Sequence, residues 1–586
     1  MRHQLQHQAR RARAFAPVLA FVALASASVA VGQVPRDAKS TKGMVVSAHH
    51  LASDIGAAVL AKGGNAVDAA VATAFGLAVT HPSAGNIGGG GFMVIRLADG
   101  RATTIDYREM APAKSTSTMY TNADGSINQA GTDSGWRAPG IPGTVRGLAL
   151  AHTRYGKLPW REVVQPAADL AAKGFPLSRA LAAELNAVVH DFMAPFPASV
   201  AAYGHPGGGP WHGGDRLQLP QLARALGAIA ADGPDAFYSG WIADSIDAQM
   251  RQHGGLINRA DLVGYRAIER APALGSFNGY DIVSMGPPSS GGFVLIATLN
   301  ALEALGAQRL APQSAAFLHR RIEVARRVYL ERARYLGDSD FVKVPMDRLL
   351  SKPYAAELAR AIDTKRASRS DSLGHDLLAP LTVESNETTH FSVVDREGNA
   401  VSNTYTLEGG YGSGVVVAGF LLNNEMGDFN KKPGYTDRNG YIGTPPNVLM
   451  PAKRMLSSMT PTIITRAGRL RLVTGSPGGR TIPNTVIDVV LGVTAFGRNA
   501  RQAVDAPRLH NQWLPDTTLI EPNGATSATI AALRAMGHRV GLSGSRDQGD
   551  AHSILINPVS GMAWGVNDTR SPDSGASAPS AVAGKR

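Results

Sequence analysis

Residues 387–406 read Glu387-Thr388-Thr389-His390-Phe391-Ser392-Val393-Val394-Asp395-Arg396-Glu397-Gly398-Asn399-Ala400-Val401-Ser402-Asn403-Thr404-Tyr405-Thr406. Two strands of alternating character flank Arg396-Glu397-Gly398, a three-residue loop with glycine where a left-handed residue is wanted. Centred on Glu397, this hairpin sets Thr388 opposite Thr406, and a slip of one residue would break that pairing. Opposed threonines hydrogen-bond on one face of a sheet. An ordinary hairpin with polar surface residues fits the same pattern, because threonine is simply a good strand residue. Position argues for more. Thr388 opens its strand directly after a polar, loop-like stretch that begins at Lys365. A threonine hydroxyl is a poor nucleophile without an adjacent base. A cut before the threonine would supply one, since a new α-amine has a pKa near ~8.

Upstream, Gly43 to Val46 reads as a short strand and Ile55, Val59 and Leu60 fall at helical spacing, closed by Gly63-Gly64. Asn65 caps a second helix, Ala66 to about Thr80. The run Gly85-Asn86-Ile87-Gly88-Gly89-Gly90-Gly91 leads into a strand from Phe92 to Leu97, turned at Asp99-Gly100 into Thr103–Asp106. The middle third is mostly helical, with apolar positions at i, i+3 and i+4 through 217–229 and 322–336. From Ser571 the chain is rich in Ser, Ala, Pro and Gly, the composition of a disordered tail. Helices, paired strands, a polar break, then more strands with helices predict sheets covered by helical layers.

Downstream, Thr474-Gly475-Ser476-Pro477-Gly478-Gly479-Arg480 lies between an apolar strand and a helix beginning near Thr481. Amide groups of Gly478 and Gly479 at such a helix start suit a developing oxyanion or a carboxylate, though a plain tight turn fits as well. Neither glycine run ends in Gly-Lys-Ser/Thr, so neither is a phosphate loop. Glu425 and Asp428, in Asn423-Asn424-Glu425-Met426-Gly427-Asp428, have the charge to hold an ammonium group. Ser457 and Ser458 have the donors to bind a carboxylate. Arg108, in Tyr107-Arg108-Glu109-Met110-Ala111-Pro112, is either a local salt-bridge partner or a carboxylate clamp. No histidine spacing indicates a metal site. His390 has its side chain opposite to that of Thr389 and reads as structural.

The 586 residues, 44% hydrophobic and 18% charged, exclude a disordered chain, and the absence of cysteine excludes disulfides, thiolate metal sites, a cysteine nucleophile and a lipoprotein anchor. Residues 1–30 have the form of a secretory signal: Arg2, Arg10, Arg11 and Arg13 precede an apolar run, with small residues at Ala25-Ser26-Ala27 and Ser28-Val29-Ala30. Removing those arginines reduces the formal charge from +12 to +8. Spread over the rest of the chain, that is a solvated surface rather than a nucleic-acid face. With no later stretch long and apolar enough to cross a bilayer, the expectation is a periplasmic or secreted protein without a membrane partner.

Taken together, these segments resemble the γ-glutamyltransferase (glutathione hydrolase) family over roughly residues 42–570. The resemblance also rests on Asn86–Phe92, Ile141-Pro142-Gly143-Thr144-Val145 and Tyr335-Leu336-Gly337-Asp338. It implies an α/β fold, the four-layer αββα sandwich of N-terminal-nucleophile hydrolases. It also implies a precursor that cleaves itself between Glu387 and Thr388 into a large subunit (31–387) and a small catalytic one (388–570), which remain together as a heterodimer. Thr388 would be the nucleophile of both cleavage and catalysis, Thr406 its orienting partner, and Gly478 and Gly479 the oxyanion hole. Arg108 with Ser457 and Ser458 would hold a glutamyl α-carboxylate, and Glu425 with Asp428 its α-amino group. The implied substrates are small γ-glutamyl amides such as glutathione, with water, amino acids or dipeptides as acceptors and no metal or organic cofactor. One departure stands out: many members carry asparagine after the Thr-Leu pair, where this chain has Glu408, which would join the ammonium holder. Residues 430–453 resemble the family's lid, with Tyr441 as a possible gate. The rivals are a related acylase that removes a glutaryl side chain, which has no α-ammonium, and a non-catalytic binding protein of the same fold.

Overall fold

A computed structural model describes residues 36–377 and 388–580. The signal-like segment, Glu387 and residues 581–586 lie outside the described residues.

Two seven-stranded sheets carry the fold. The first runs, edge to edge, Gly575–Ser577, Gly43–Ser47, Thr389–Asp395, Ala400–Thr406, Gly90–Arg96, Ala102–Asp106 and Ile268–Arg270. The second runs Ala38–Ser40, Ala563–Val566, Ser553–Ile556, Arg469–Thr474, Thr462–Arg466, Tyr280–Ser284 and Ala273–Phe277. Strand periodicity explains how each sheet serves two cores. Odd-numbered residues Val45, Met93, Phe391, Val393, Val401 and Tyr405 enter an apolar cluster with the helices His50–Ala61, Ala66–Thr80 and Trp160–Lys173. Their even-numbered neighbours Met44, Val46, Phe92, Val94 and Val394 join the second sheet and its helices, Gly291–Ala304, Ala315–Tyr335 and Ile482–Thr494. The result is the αββα sandwich that the sequence implies.

The central hairpin has the expected register, with Thr389 opposite Tyr405 and His390 opposite Thr404. Gly398 takes the left-handed conformation at φ +93°. Asp395 locks the turn by accepting from the Glu397 and Asn399 amides at 2.9 and 3.0 Å, and its other oxygen accepts from Ala66 N at 3.0 Å. That last bond ties the turn to the start of the fully buried helix Ala66–Thr80, which Asn65 and Asp68 cap reciprocally.

Three expectations change. The strand foreseen from Phe92 begins at Gly90, and Gly90 and Gly91 pair with Thr406 and Tyr405. Backbone crowding is the reason: a Cβ on Gly91 would lie 2.4 Å from that of Tyr405, and one on Gly89 would lie 2.0 Å from the Thr406 carbonyl. The helix foreseen over 217–229 starts at Pro220, because Leu217 is taken by a short strand. The tail foreseen from Ser571 is ordered to Ser580. Gly575–Ser577 closes the open edge of Gly43–Ser47, and Asp573 O accepts from His50 N at 2.8 Å. Small residues suit this place, since a Cβ on Gly575 would sit 2.8 Å from the His50 Cβ. No helix among the described residues is long and apolar enough to cross a membrane.

Candidate active site

Thr388 and Thr406 are even-numbered residues at the open end of the hairpin, so their side chains fall on the side facing the second sheet. There they border a pocket with Arg108, Glu408, Glu425, Asp428, Ser457, Ser458 and Gly479. Segments far apart in sequence thus converge, and only Gly478 among the expected site residues is absent from the lining. Its carbonyl is turned away, accepting from Thr481 N at 2.9 Å and Thr481 Oγ1 at 2.7 Å. Gly478 and Gly479 have φ of +123° and +53°, conformations that favour glycine.

The Thr388 side of the pocket is held from beneath. Thr406 Oγ1 accepts from Glu408 N at 2.8 Å, and Glu408 itself adopts φ +80°, costly for a residue with a Cβ. Asn86 Nδ2 donates to the Thr406 carbonyl at 2.8 Å, while Asn86 Oδ1 accepts from Gly89 N at 2.9 Å and Thr144 Oγ1 at 2.7 Å. The glycine run and the Ile141–Val145 motif therefore meet under Thr406. His390 is structural, as expected. Its ring bonds Thr404 Oγ1 at 2.9 Å and Ser392 Oγ at 3.1 Å and floors Gly475, whose Cβ would clash with it. Burial, with His552 nearby, holds its pKa well below the usual imidazole value, so it is neutral.

The opposite side carries charge. Arg108 is almost wholly buried. Its Nε donates to Met455 O at 3.3 Å, and its Nη1 and Nη2 pair with Glu425 and Asp428. Burial alone would lower its pKa, but the carboxylates of Glu425, Asp428 and Glu109 outweigh that and raise it. Arg108, expected on the carboxylate-binding side, here neutralises the two acids expected on the ammonium side. A buried guanidinium with no bound anion needs such partners. Ser457 and Ser458 are fixed by neighbours: Ser457 O accepts from Ser290 N at 2.8 Å, and Ser458 Oγ accepts from Arg332 Nη2 at 3.0 Å.

Two residues assigned no role from the sequence also line the pocket: Arg332, on the arginine-rich helix Ala315–Tyr335, and Arg480. In the sequence that helix shows only through its apolar spacing, and most of its residues, charged ones included, are buried. From residues 430–453, Asn430, Ile442, Thr444 and Asn447 reach the pocket. Tyr441 does not line it. Its hydroxyl accepts from Lys432 N at 2.5 Å, bracing the segment.

The chain matches the Gamma-glutamyltranspeptidase family model over residues 52–578. It is similar to a glutathione hydrolase proenzyme of Escherichia coli (strain K12), with 44% identity over 91% of each chain. Among solved structures it is similar to Helicobacter pylori γ-glutamyltranspeptidase, with 40% identity and a TM-score of 0.53 over 54% of this chain and 90% of that one. A cephalosporin acylase from Bacillus halodurans is similar over 93% of this chain and 96% of its own, with 26% identity and a TM-score of 0.79.

Proposed function

Because the chain belongs to the γ-glutamyltranspeptidase family, we propose that the pocket beside Thr388 is where it hydrolyses and transfers γ-glutamyl groups, those of glutathione included. The observation that carries this reading is the meeting of Thr388, just ahead of the strand Thr389–Asp395, with a second threonine, a turn glycine and a buried Arg–Glu–Asp cluster around one pocket.

The precursor is cut between Glu387 and Thr388, and the new α-amine serves as the base that the Thr388 hydroxyl lacks. Thr388 Oγ attacks the γ-amide carbonyl. The amine takes the hydroxyl proton and passes it to the leaving amine, and a γ-glutamyl ester remains. Water then releases glutamate, or an amino acid or dipeptide amine forms a new γ-glutamyl amide, with the proton returning along the same route. Gly478 and Gly479 stabilise the tetrahedral oxyanion. Thr406 orients the nucleophile.

Substrate entry exchanges partners within the charged cluster. The donor's α-carboxylate takes Arg108, aided by Ser457 and Ser458, and its α-ammonium takes Glu425, Asp428 and Glu408. Every buried charge keeps a counterion throughout, which a zwitterionic head group alone permits. A glutaryl group brings a carboxylate but no ammonium and would leave the acids unpaired. This weighs against the acylase reading that the Bacillus halodurans structure suggests. Residues 31–387 and the chain from Thr388 onward then act as two subunits of one heterodimer, and the signal-like start directs the protein to the periplasm or the medium.

The test is denaturing electrophoresis with N-terminal sequencing, wild type beside Thr388→Ala. The expected result is a wild-type fragment of about one third of the 586 residues beginning Thr-Thr-His-Phe, an uncut variant, and γ-glutamyl-p-nitroanilide hydrolysis only in the wild type. A folded but uncut wild type would refute the assignment.

A further inference from the structure

Behind the pocket wall, a third carboxylate stands against Arg108. Glu109 is fully buried and does not line the pocket, and its Oε2 lies 3.6 Å from Arg108 Nη1. Neither of its oxygens has a hydrogen-bond donor, and the same is true of Glu425 Oε2. Backbone closes the far side: a Cβ on Gly90 would lie 2.7 Å from Glu109 Oε2, and one on Gly140 would lie 3.1 Å from the Glu109 Cβ. Glu109 Oε2 and Glu425 Oε1 converge on the same guanidinium nitrogen, Arg108 Nη1, which brings two buried carboxyl groups side by side. Two ionised carboxylates cannot hydrogen-bond each other, whereas one proton between them gives the orphaned oxygens a partner.

We propose that Glu109 and Glu425 share one proton behind Arg108, and that Glu109 keeps it when a donor's α-carboxylate draws Arg108 toward the pocket, so that donor binding is linked to protonation of a carboxyl group that never touches substrate. Glu109 is thus a positioning residue, and the inference rests on the γ-glutamyl reading of the site.

The surroundings set the sign. Glu109 faces Arg108 on its own segment and Glu425 and Asp428 from the 3-10 turn Glu425–Asp428; Glu408 acts on Glu425 from the loop after Thr406. The phenols of Tyr107, Tyr238 and Tyr265 also feel its charge. They are buried, with pKa values raised chiefly by burial, and they bond Asn403 Oδ1, Pro142 O and Arg108 O. Burial pushes the Glu109 carboxyl up to about 7, against the opposing pull of Arg108. When the donor's carboxylate claims part of that cation, Glu109 loses stabilisation of its ionised form. The donor's ammonium compensates Glu425 and Asp428, which line the pocket, but does not reach Glu109. Below this pKa the proton is already present. Above it, binding must take a proton up, and affinity falls with pH by up to about tenfold per unit.

Calorimetry of L-glutamate binding to the processed enzyme at pH 8, in buffers of different ionisation heat, counts the protons exchanged. The expected result is uptake of about half to one proton by the wild type and none by Glu109→Gln. In parallel, KM for γ-glutamyl-p-nitroanilide rises from pH 7 to 8.5 in the wild type by about tenfold and stays within about twofold in the variant. Equal uptake in both proteins, or none in a wild type that binds glutamate, would overturn the proposal. Loss of glutamate binding in the wild type would overturn it together with the donor-site reading, and is distinct because no binding heat remains. Should Glu109→Gln not fold, Glu109→Leu fills the same buried space without a titratable group and must also abolish the uptake.

Discussion

Replacing Arg108 with lysine separates a forked donor from a point charge of the same sign. A guanidinium has five N–H groups. In the resting site three are directed to Met455 O, Glu425 and Asp428, leaving two for a ligand's carboxylate. A charge-assisted hydrogen bond contributes about 1.5–3 kcal/mol, so two contribute roughly 3–6 kcal/mol before any compensation. An ammonium on a shorter reach, already claimed by the two acids, recovers its Coulomb attraction and at most one of those bonds. The net loss is about 2–4 kcal/mol, or roughly 30- to 1000-fold in kcat/KM. The assay is initial rates on γ-glutamyl-p-nitroanilide over a range of concentrations, after electrophoresis has shown the variant to be fully processed. A processed Arg108→Lys enzyme with kcat/KM within about threefold of wild type would refute the view that this guanidinium holds the donor's carboxylate.

Two further perturbations probe the frame around the site. Gly91→Ala places a methyl group 2.4 Å from the Tyr405 Cβ, inside a paired ladder with no slack. A loss of about 1–3 kcal/mol is expected, read as a lower melting temperature and slower processing. An unchanged melting temperature would contradict the packing. Far from the pocket, buried Asp568 accepts from Arg508, Arg570 and the Ala551 amide. Burial tends to raise its pKa, but the two arginines win and hold it well below the usual carboxylate range. A carboxyl depressed in this way stabilises the fold at pH above the ordinary value of about 4 and loses that contribution as pH falls further. The melting temperature of the wild type should drop steeply from pH 5 to 2, and that of Asp568→Asn should start lower and fall less. Parallel curves would contradict the assignment.

The hairpin was legible because a period of two, a glycine at the turn and a polar break leave its register little freedom. The residues around the pocket were legible through resemblance, since nothing local in Ser457-Ser458 or Glu425–Asp428 separates a ligand site from a loop cap. Three features were not legible, each because it depends on what packs from elsewhere. Gly575–Ser577 is a strand because the edge of Gly43–Ser47 needs backbone partners, a demand that does not depend on side-chain composition. Arg332 faces the pocket because its helix is covered by segments remote in sequence. The pairing of Arg108 with Glu425 and Asp428 follows from burial, and the two roles read separately in the sequence are combined in one cluster until a ligand divides them.

In both sheets, strands from before Thr388 pair with strands from after it. The hairpin 389–406 lies between Gly43–Ser47 and Gly90–Arg96, Thr462–Arg466 lies against Tyr280–Ser284, and Ala563–Val566 lies against Ala38–Ser40. A cut ahead of Thr388 therefore nicks a woven fabric and produces no seam along which two halves part. Neither fragment retains an intact sheet alone, so each molecule keeps for life the pair of pieces with which it folded. Mixing two populations of cut enzyme yields no hybrids, and fragments made separately have no ready-made surfaces on which to dock. Folding has to be complete while the chain is still continuous, and the cut then records that it was.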